Sequence, residues 1–199
     1  MNKVIITVLA ACAVIGAVWI LCADCHAEDY AEQMVQAVLD GDDEAGHAAE
    51  VARATKLEQL DLNYANIIYD DLVLLSKIIT AEAGSYWLGD DWRMMMGEVV
   101  LNRVESPEFP DTLREVLEQP GQYYGKDSAY FNGIRPHEYC VRVALRLLAG
   151  ERLLCDPSVV FQANFPQGSG IHTLLNDRYL GATYLCHSAH MEVYRGGEA

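Results

Sequence analysis

Residues 4 to 23, VIITVLAACAVIGAVWILCA, run for 20 residues without a charged side chain. As a helix, a run of that length crosses the roughly 30 Å hydrocarbon core of a bilayer, and it exceeds the roughly 7 to 15 apolar residues of a signal-peptide core. The run therefore divides the chain before any other feature is considered. Residues 1–27 read as a membrane anchor, with a signal segment cleaved after Ala23 or Ala27 as the alternative. Lys3 precedes the run and Asp24, Glu28 and Asp29 follow it, so the positive-inside bias puts the bulk of the chain outside the cytoplasm, tethered or, after cleavage, secreted. LAAC at 9–12 resembles a lipoprotein cleavage site, but the apolar stretch before Cys12 is too short and continues beyond it.

The charge follows the same division. The net charge is −15. Residues 24–71 alone hold 13 acidic side chains against Arg53 and Lys56. With no basic face to displace counterions from phosphates, nucleic-acid binding is excluded. Between the anchor and about residue 69, AEQMVQAVL and AAEVARATKLEQL carry acidic and apolar residues at helical spacing, broken by DGDDEAG. Residues 28–69 read as an acidic stalk or linker of two solvated helices. CADCH at 22–26 matches the spacing for covalent haem attachment, but it abuts the apolar run with no small cytochrome-like domain around it; no cofactor is expected. Cys140, Cys155 and Cys186 lie in the remaining domain, and three thiols allow one disulfide at most.

Residues 70–199 read as one domain. Helical spacing runs through DDLVLLSKIITAEAG, DDWRMMMGEVVLNRV and DTLREVLEQ, with Asp90 or Asp91 and Asp111 as expected N-caps, and through PHEYCVRVALRLLAG between Pro136 and Gly150. SVVFQANF, residues 158–165, reads as a strand, PQGSG as a turn and RYLGATYLCH as a returning strand. The expected class is α+β, mainly helical with a small antiparallel sheet.

One carboxylate stands out. Leu72, Leu75, Ile79 and Glu82 fall at spacings of 3, 4 and 3, so Glu82 continues the apolar stripe of its helix. Burial, together with a place in the last turn before Gly84, suits a general acid. The competing reading is a helix-end glutamate turned out to water. Most glycosidases need a second carboxylate; Asp90, Asp91 and Glu98 are near in sequence, but the first two serve equally as caps and Glu98 as a surface charge. QGSG around Ser169 is not a nucleophile elbow. His187 and His190 with Cys186 and Glu192 read as a polar tail, and without H-E-x-x-H no metal site is expected. The run Met94 to Met96 reads as core filling.

The later domain resembles the SleB-type cell wall hydrolases, the spore cortex-lytic enzymes and their relatives. The matching stretches, in the family's order, are AEAG at 81–84, VVLNRVESPEFPDTLREVLEQPGQY at 99–123, PHEYCVRVALRLLAGE at 136–151 and VVFQANFPQGSG at 159–170. The resemblance implies a lysozyme-like or lytic-transglycosylase-like fold that cleaves peptidoglycan strands between muramic acid and glucosamine units. It makes Glu82 the catalytic acid and removes the need for a second carboxylate, because in a lytic transglycosylase the substrate's own hydroxyl closes an anhydro ring. Position on the matched motifs makes Gln119, Gln122, Tyr123, Phe161, Gln162, Asn164 and Phe165 the candidates for the glycan groove, while Asn102 and Arg103 read as structural. Many relatives follow AEA with Arg-Gly-Glu; here Gly84 leads into SYWLGDDW. The implied roles are wall remodelling, spore cortex lysis or lysis by a mobile element. A non-catalytic glycan-binding or scaffolding protein of the envelope is the alternative.

Overall fold

A computed structural model of the chain describes residues 29–59, 67–123 and 128–194. The apolar run 4–23 and Cys12, Cys22 and Cys25 lie outside the described residues. Among the described residues no helix is long and apolar enough to cross a membrane. The chain divides into two compact units, Met1–Tyr69 and Asp70–Ala199.

The first unit holds helix α1 over 29–40 and α2 (Asp43–Gln59). The DGDDEAG break is a turn in which the Asp42 carboxylate accepts the N–H of Ala45 at 3.0 Å, an N-cap for α2. The pair is not uniformly solvated: Met34, Val35 and Tyr69 are fully buried. Tyr69 donates its N–H to Glu50 at 2.9 Å and bonds Asp43 through its hydroxyl at 3.3 Å.

The second unit is built around one helix. α3 (Tyr69–Ala83) buries the stripe Leu72, Leu75, Ile78 and Ile79. α4 (Asp90–Glu105) is buried on nearly every side, which is why its sequence has no clear amphipathic stripe. Gly97 lets its neighbours approach: a Cβ there would stand 2.5 Å from Leu147 Cδ1 and 2.9 Å from Ile79 Cδ1. α5 (Leu113–Glu118) and the single turn α6 (Ala129–Asn132) follow. α7 (Glu138–Leu148) ends in a Schellman motif, with Gly150 at φ 98° donating to Leu147 and Glu151 donating to Arg146. Two expected caps are displaced by one or two residues. Gly89 caps α4, so that Asp90 and Asp91 lie inside its first turn, and Thr112 rather than Asp111 accepts the Glu115 N–H.

Three antiparallel strands complete the unit, β1 (Val159–Ala163), β2 (Gly170–Asp177) and β3 (Gly181–His187), with β3 in the centre. β1 pairs with β3 as the sequence suggests, Phe161 opposite Cys186 and Gln162 opposite Leu185. β2 was not expected. It fully buries no residue, so nothing in its composition marks a core strand, and RYL, residues 178–180, is the turn that follows it rather than the start of its neighbour. Cys140, Cys155 and Cys186 are all free thiols.

Helix and sheet are joined by polar side chains. Glu98 is 1% exposed, so it is not the surface charge its spacing suggests. Its carboxylate accepts the N–H groups of Leu153, Leu154 and Cys155 at 2.6, 2.9 and 3.0 Å. Cys155 has a φ of 53°, a left-handed conformation that a non-glycine residue keeps only where its surroundings impose it. One turn on, Asn102 donates to the carbonyls of Asp156 and Val159 at 2.9 and 3.0 Å, and Arg103 to that of Val160 at 2.6 Å. Met96 and Val99 pack beneath these bonds against Leu154, Val159 and Leu185. Replacing Glu98 with Ala leaves three N–H groups without an acceptor, so unfolding stability should fall by about 3 kcal/mol or more. Hydrogen exchange at residues 153–155 should accelerate ahead of exchange in α4; unchanged exchange would refute the role of Glu98.

Candidate active site

Glu82 occupies the last turn of α3, but it is exposed, whereas Leu72, Leu75 and Ile79 of the same stripe are buried. The stripe ends one step early because α3 stops at Ala83 and the chain turns away. Burial therefore does not distinguish this carboxylate. What the geometry supplies instead is a fixed position. Gly84 passes so close to the preceding turn that a Cβ would lie 2.2 Å from the Thr80 carbonyl oxygen. Its own carbonyl accepts the Tyr139 hydroxyl at 2.6 Å, and the next carbonyl, of Ser85, accepts from buried Arg93 at 2.9 Å. Arg93 in turn lies 4.1 Å from the Tyr139 ring centre and pairs with Asp90 at 3.0 Å.

Glu82 opens onto a cleft of about 210 Å³ whose other walls come from three segments distant in sequence. Arg103 enters from α4, Gln162 from β1 and Gln167 from the link to β2; Gly121, Gln122 and Tyr123 come from the turn after α5. That turn is dictated by QPGQ. Pro120 fixes the first central position, Gly121 takes φ 76° at the second, and Gln122 donates its N–H back to Gln119 at 3.3 Å, a type II turn. It delivers Gln122 Oε1 to the Arg103 guanidinium at 3.0 Å. Three rings surround Arg103, with centres at 4.8 Å for Tyr123, 5.1 Å for Phe109 and 5.9 Å for Phe161. Arg103 is thus both a tie between helix and sheet and a wall of the cleft.

Two polar atoms of the cleft residues, the Tyr123 hydroxyl and Gln162 Oε1, are buried with no hydrogen-bond partner. Such atoms are rare in folded proteins, and at an open cleft a bound group or water can complete their bonding. Burial pushes the Tyr123 phenol up to about 12; Arg103 acts against the shift and the Glu82 charge adds to it. The phenol is therefore a neutral donor at any working pH.

Of the eight side chains expected at the site, Glu82, Gln122, Tyr123 and Gln162 meet at the cleft. Phe161 reaches only the Arg103 guanidinium. Gln119 serves as the C-cap of α5, with its own Oε1 buried and unpartnered, and Asn164 and Phe165 are exposed at the end of β1 outside the cleft lining. Asp90, Asp91 and Glu98 do not line it either. The sequence marked Arg103 as structural, which it is, but did not bring it to the cleft, and it did not single out Gln167. A lone arginine inside the apolar run VVLNRV was a usable signal for the first; nothing marked the second.

Residues 90–166 match the family model described as Cell Wall Hydrolase. The likeness to cell wall hydrolases rests on these residues. No curated protein and no solved structure matches. The hydrolase match takes in Arg103, the QPGQ turn and all of β1, while Glu82 precedes it by eight residues and Gln167 follows it by one.

Because Tyr123 holds its proton more tightly in the folded state, its contribution to stability is complete below about pH 10 and is lost as pH rises towards about 12. Tyr194, also pushed up to about 12 by burial, adds a second such loss. Tyr123→Phe should remove one such loss, seen as a shallower fall of the thermal midpoint across that alkaline window. An unchanged slope would mean that the phenol is not buried.

Proposed function

We propose that the hydrolase domain degrades peptidoglycan by cleaving its glycan strands between muramic acid and glucosamine units, with Glu82 as acid and then base of a lytic transglycosylase. The observation that carries this reading is that Glu82 is the one carboxylate among the described residues lining the cleft. The other acidic candidates have structural duties: Glu98 holds three backbone N–H groups and Asp90 pairs with Arg93. In this mechanism the Glu82 proton passes to the bridging oxygen as the glycosidic bond breaks. The muramic residue's own primary hydroxyl then attacks the exposed carbon, and its proton returns to Glu82. No water is consumed, and the product carries an anhydro ring. The buried donor of Tyr123, the amide of Gln162 and the cation of Arg103 would bind hydroxyl, acetamido and carboxylate groups of the two sugars flanking the bond. The apolar run at 4–23 supports an extracytoplasmic location, anchored or secreted, and a lysozyme-like fold belongs to the same proposal.

Purified peptidoglycan treated with the full-length protein should release soluble fragments lighter by one water than hydrolytic products. Glu82→Gln should lower the rate by at least about a hundredfold, the scale of a lost general acid. Undiminished release from Glu82→Gln would overturn the catalytic assignment. Reducing ends in place of anhydro ends would keep the acid but make water the attacking group.

A further inference from the structure

The segment that leaves Glu82, GSYWLG, carries two exposed aromatic rings, Tyr86 at 83% and Trp87 at 45%. A third, Tyr179 at 65%, comes from the turn between β2 and β3. The three are in contact: ring centres are 5.3 Å apart for Tyr86 and Trp87 and 5.4 Å for Trp87 and Tyr179, with planes at 88° and 65°. They are also held in place. Asp177 accepts the N–H groups of Tyr179 and Leu180, both at 2.9 Å, which shapes the turn, and its carboxylate takes a hydrogen bond from the Trp87 side chain. The Arg178 guanidinium covers one side of Tyr179 at 4.3 Å. An exposed tryptophan fixed by a carboxylate from another element is not a stray surface hydrophobe.

We infer that Tyr86, Trp87 and Tyr179 form an accessory platform that stacks sugar rings of the peptidoglycan strand beyond the pair held in the Glu82 cleft. The inference rests on the proposed glycan substrate and extends its binding surface. Trp87 follows Glu82 by five residues, a reach of at most about 18 Å, so one continuous strand can meet both. The ring geometry favours this occupant. Three rings set at steep angles do not make the continuous apolar stripe on which a partner helix docks; they offer separate faces, each about the size of one sugar ring. The Trp87 N–H is already given to Asp177 and the Tyr179 hydroxyl already accepts from Arg178, so the platform offers ring faces for stacking, with the Tyr86 hydroxyl at one edge for the hydroxyl groups around a sugar ring. Asp177 within the platform and Asp91 four residues beyond Trp87 also make an anionic lipid surface a poor match.

The test is retention on peptide-stripped glycan strands from purified sacculi, measured with the full-length protein carrying Glu82→Gln so that the strands persist. Trp87→Ala and Tyr179→Ala should each weaken retention about tenfold, equivalent to about 1.4 kcal/mol, with the circular dichroism spectrum unchanged. Trp87→Phe should keep more of it than Trp87→Ala. Equal retention by the two alanine variants and their parent would overturn the platform. So would loss of binding to anionic phospholipid vesicles in Trp87→Ala with glycan retention intact. These results are separable from the catalytic proposal: a protein that cleaves strands but binds them equally with and without Trp87 loses only the platform. One that retains strands through Trp87 but releases no fragments loses only the catalysis.

Discussion

Everything in the second unit is referred to α4, because that helix fixes the chain that becomes the sheet through polar side chains rather than through apolar packing alone. Glu98, Asn102 and Arg103 take hold of three consecutive backbone amides and then of the carbonyls of residues 156, 159 and 160. Apolar contacts of the kind that Met96 and Val99 make with Leu154 and Val159 resist separation but tolerate sliding. Directional bonds do not. They set where β1 begins along the helix, and so where Gln162 stands relative to a glutamate 80 residues earlier in the chain.

The same logic places the glutamate. Glu82 ends a helix, and a helix end is ordinarily a frayed place. Here the two carbonyls that follow it are each held, Gly84 by Tyr139 and Ser85 by Arg93, and both holders belong to helices, α7 and α4. The proposed acid is thereby carried on rigid elements although it is itself exposed, as a group that has to be placed against a bond requires. Exposure is also what a reacting group at the wall of an open cleft requires, since it must reach the strand.

Much of this was legible in the residues. Four helices, the pairing of β1 with the last strand, the QPGQ turn and the Glu82 position follow from spacing, caps and turn chemistry. The errors have physical causes. Spacing says which face of a helix a residue occupies but not where the neighbouring elements stop, so Glu82 stood between a buried and an outward reading, of which the outward one is found, and Glu98 looked exposed but is buried. No residue of β2 is fully buried, although Leu175 packs against the core, and a strand so exposed writes little alternation into its composition. Arg103 was read as structural because a buried arginine usually is; that it also walls the cleft depends on Tyr123, Gln122 and Phe161, which only the fold brings to it. Asn164 and Phe165 suited a glycan groove by residue type but lie beyond the end of β1.

The cleft's chemistry narrows further when its side chains are compared by what each can do with a proton. Glutamine amides neither give nor take one, and an arginine keeps its charge at every working pH. Burial holds the Tyr123 phenol protonated up to about 12. Among the described residues Glu82 is thus the one lining side chain able to release a proton and take it back. A hydrolase that activates water usually divides those tasks between two carboxylates on opposite sides of the bond. Where one group does both, the atom that attacks must lie on the same side as the proton donor and within its reach after the leaving sugar departs. A hydroxyl of the cleaved sugar meets that condition by being tethered to the reacting carbon, at a high effective concentration that free water lacks. Under the proposed function, ring closure is the reading that needs no second base, and among the described residues Glu82 is the one carboxylate at the cleft.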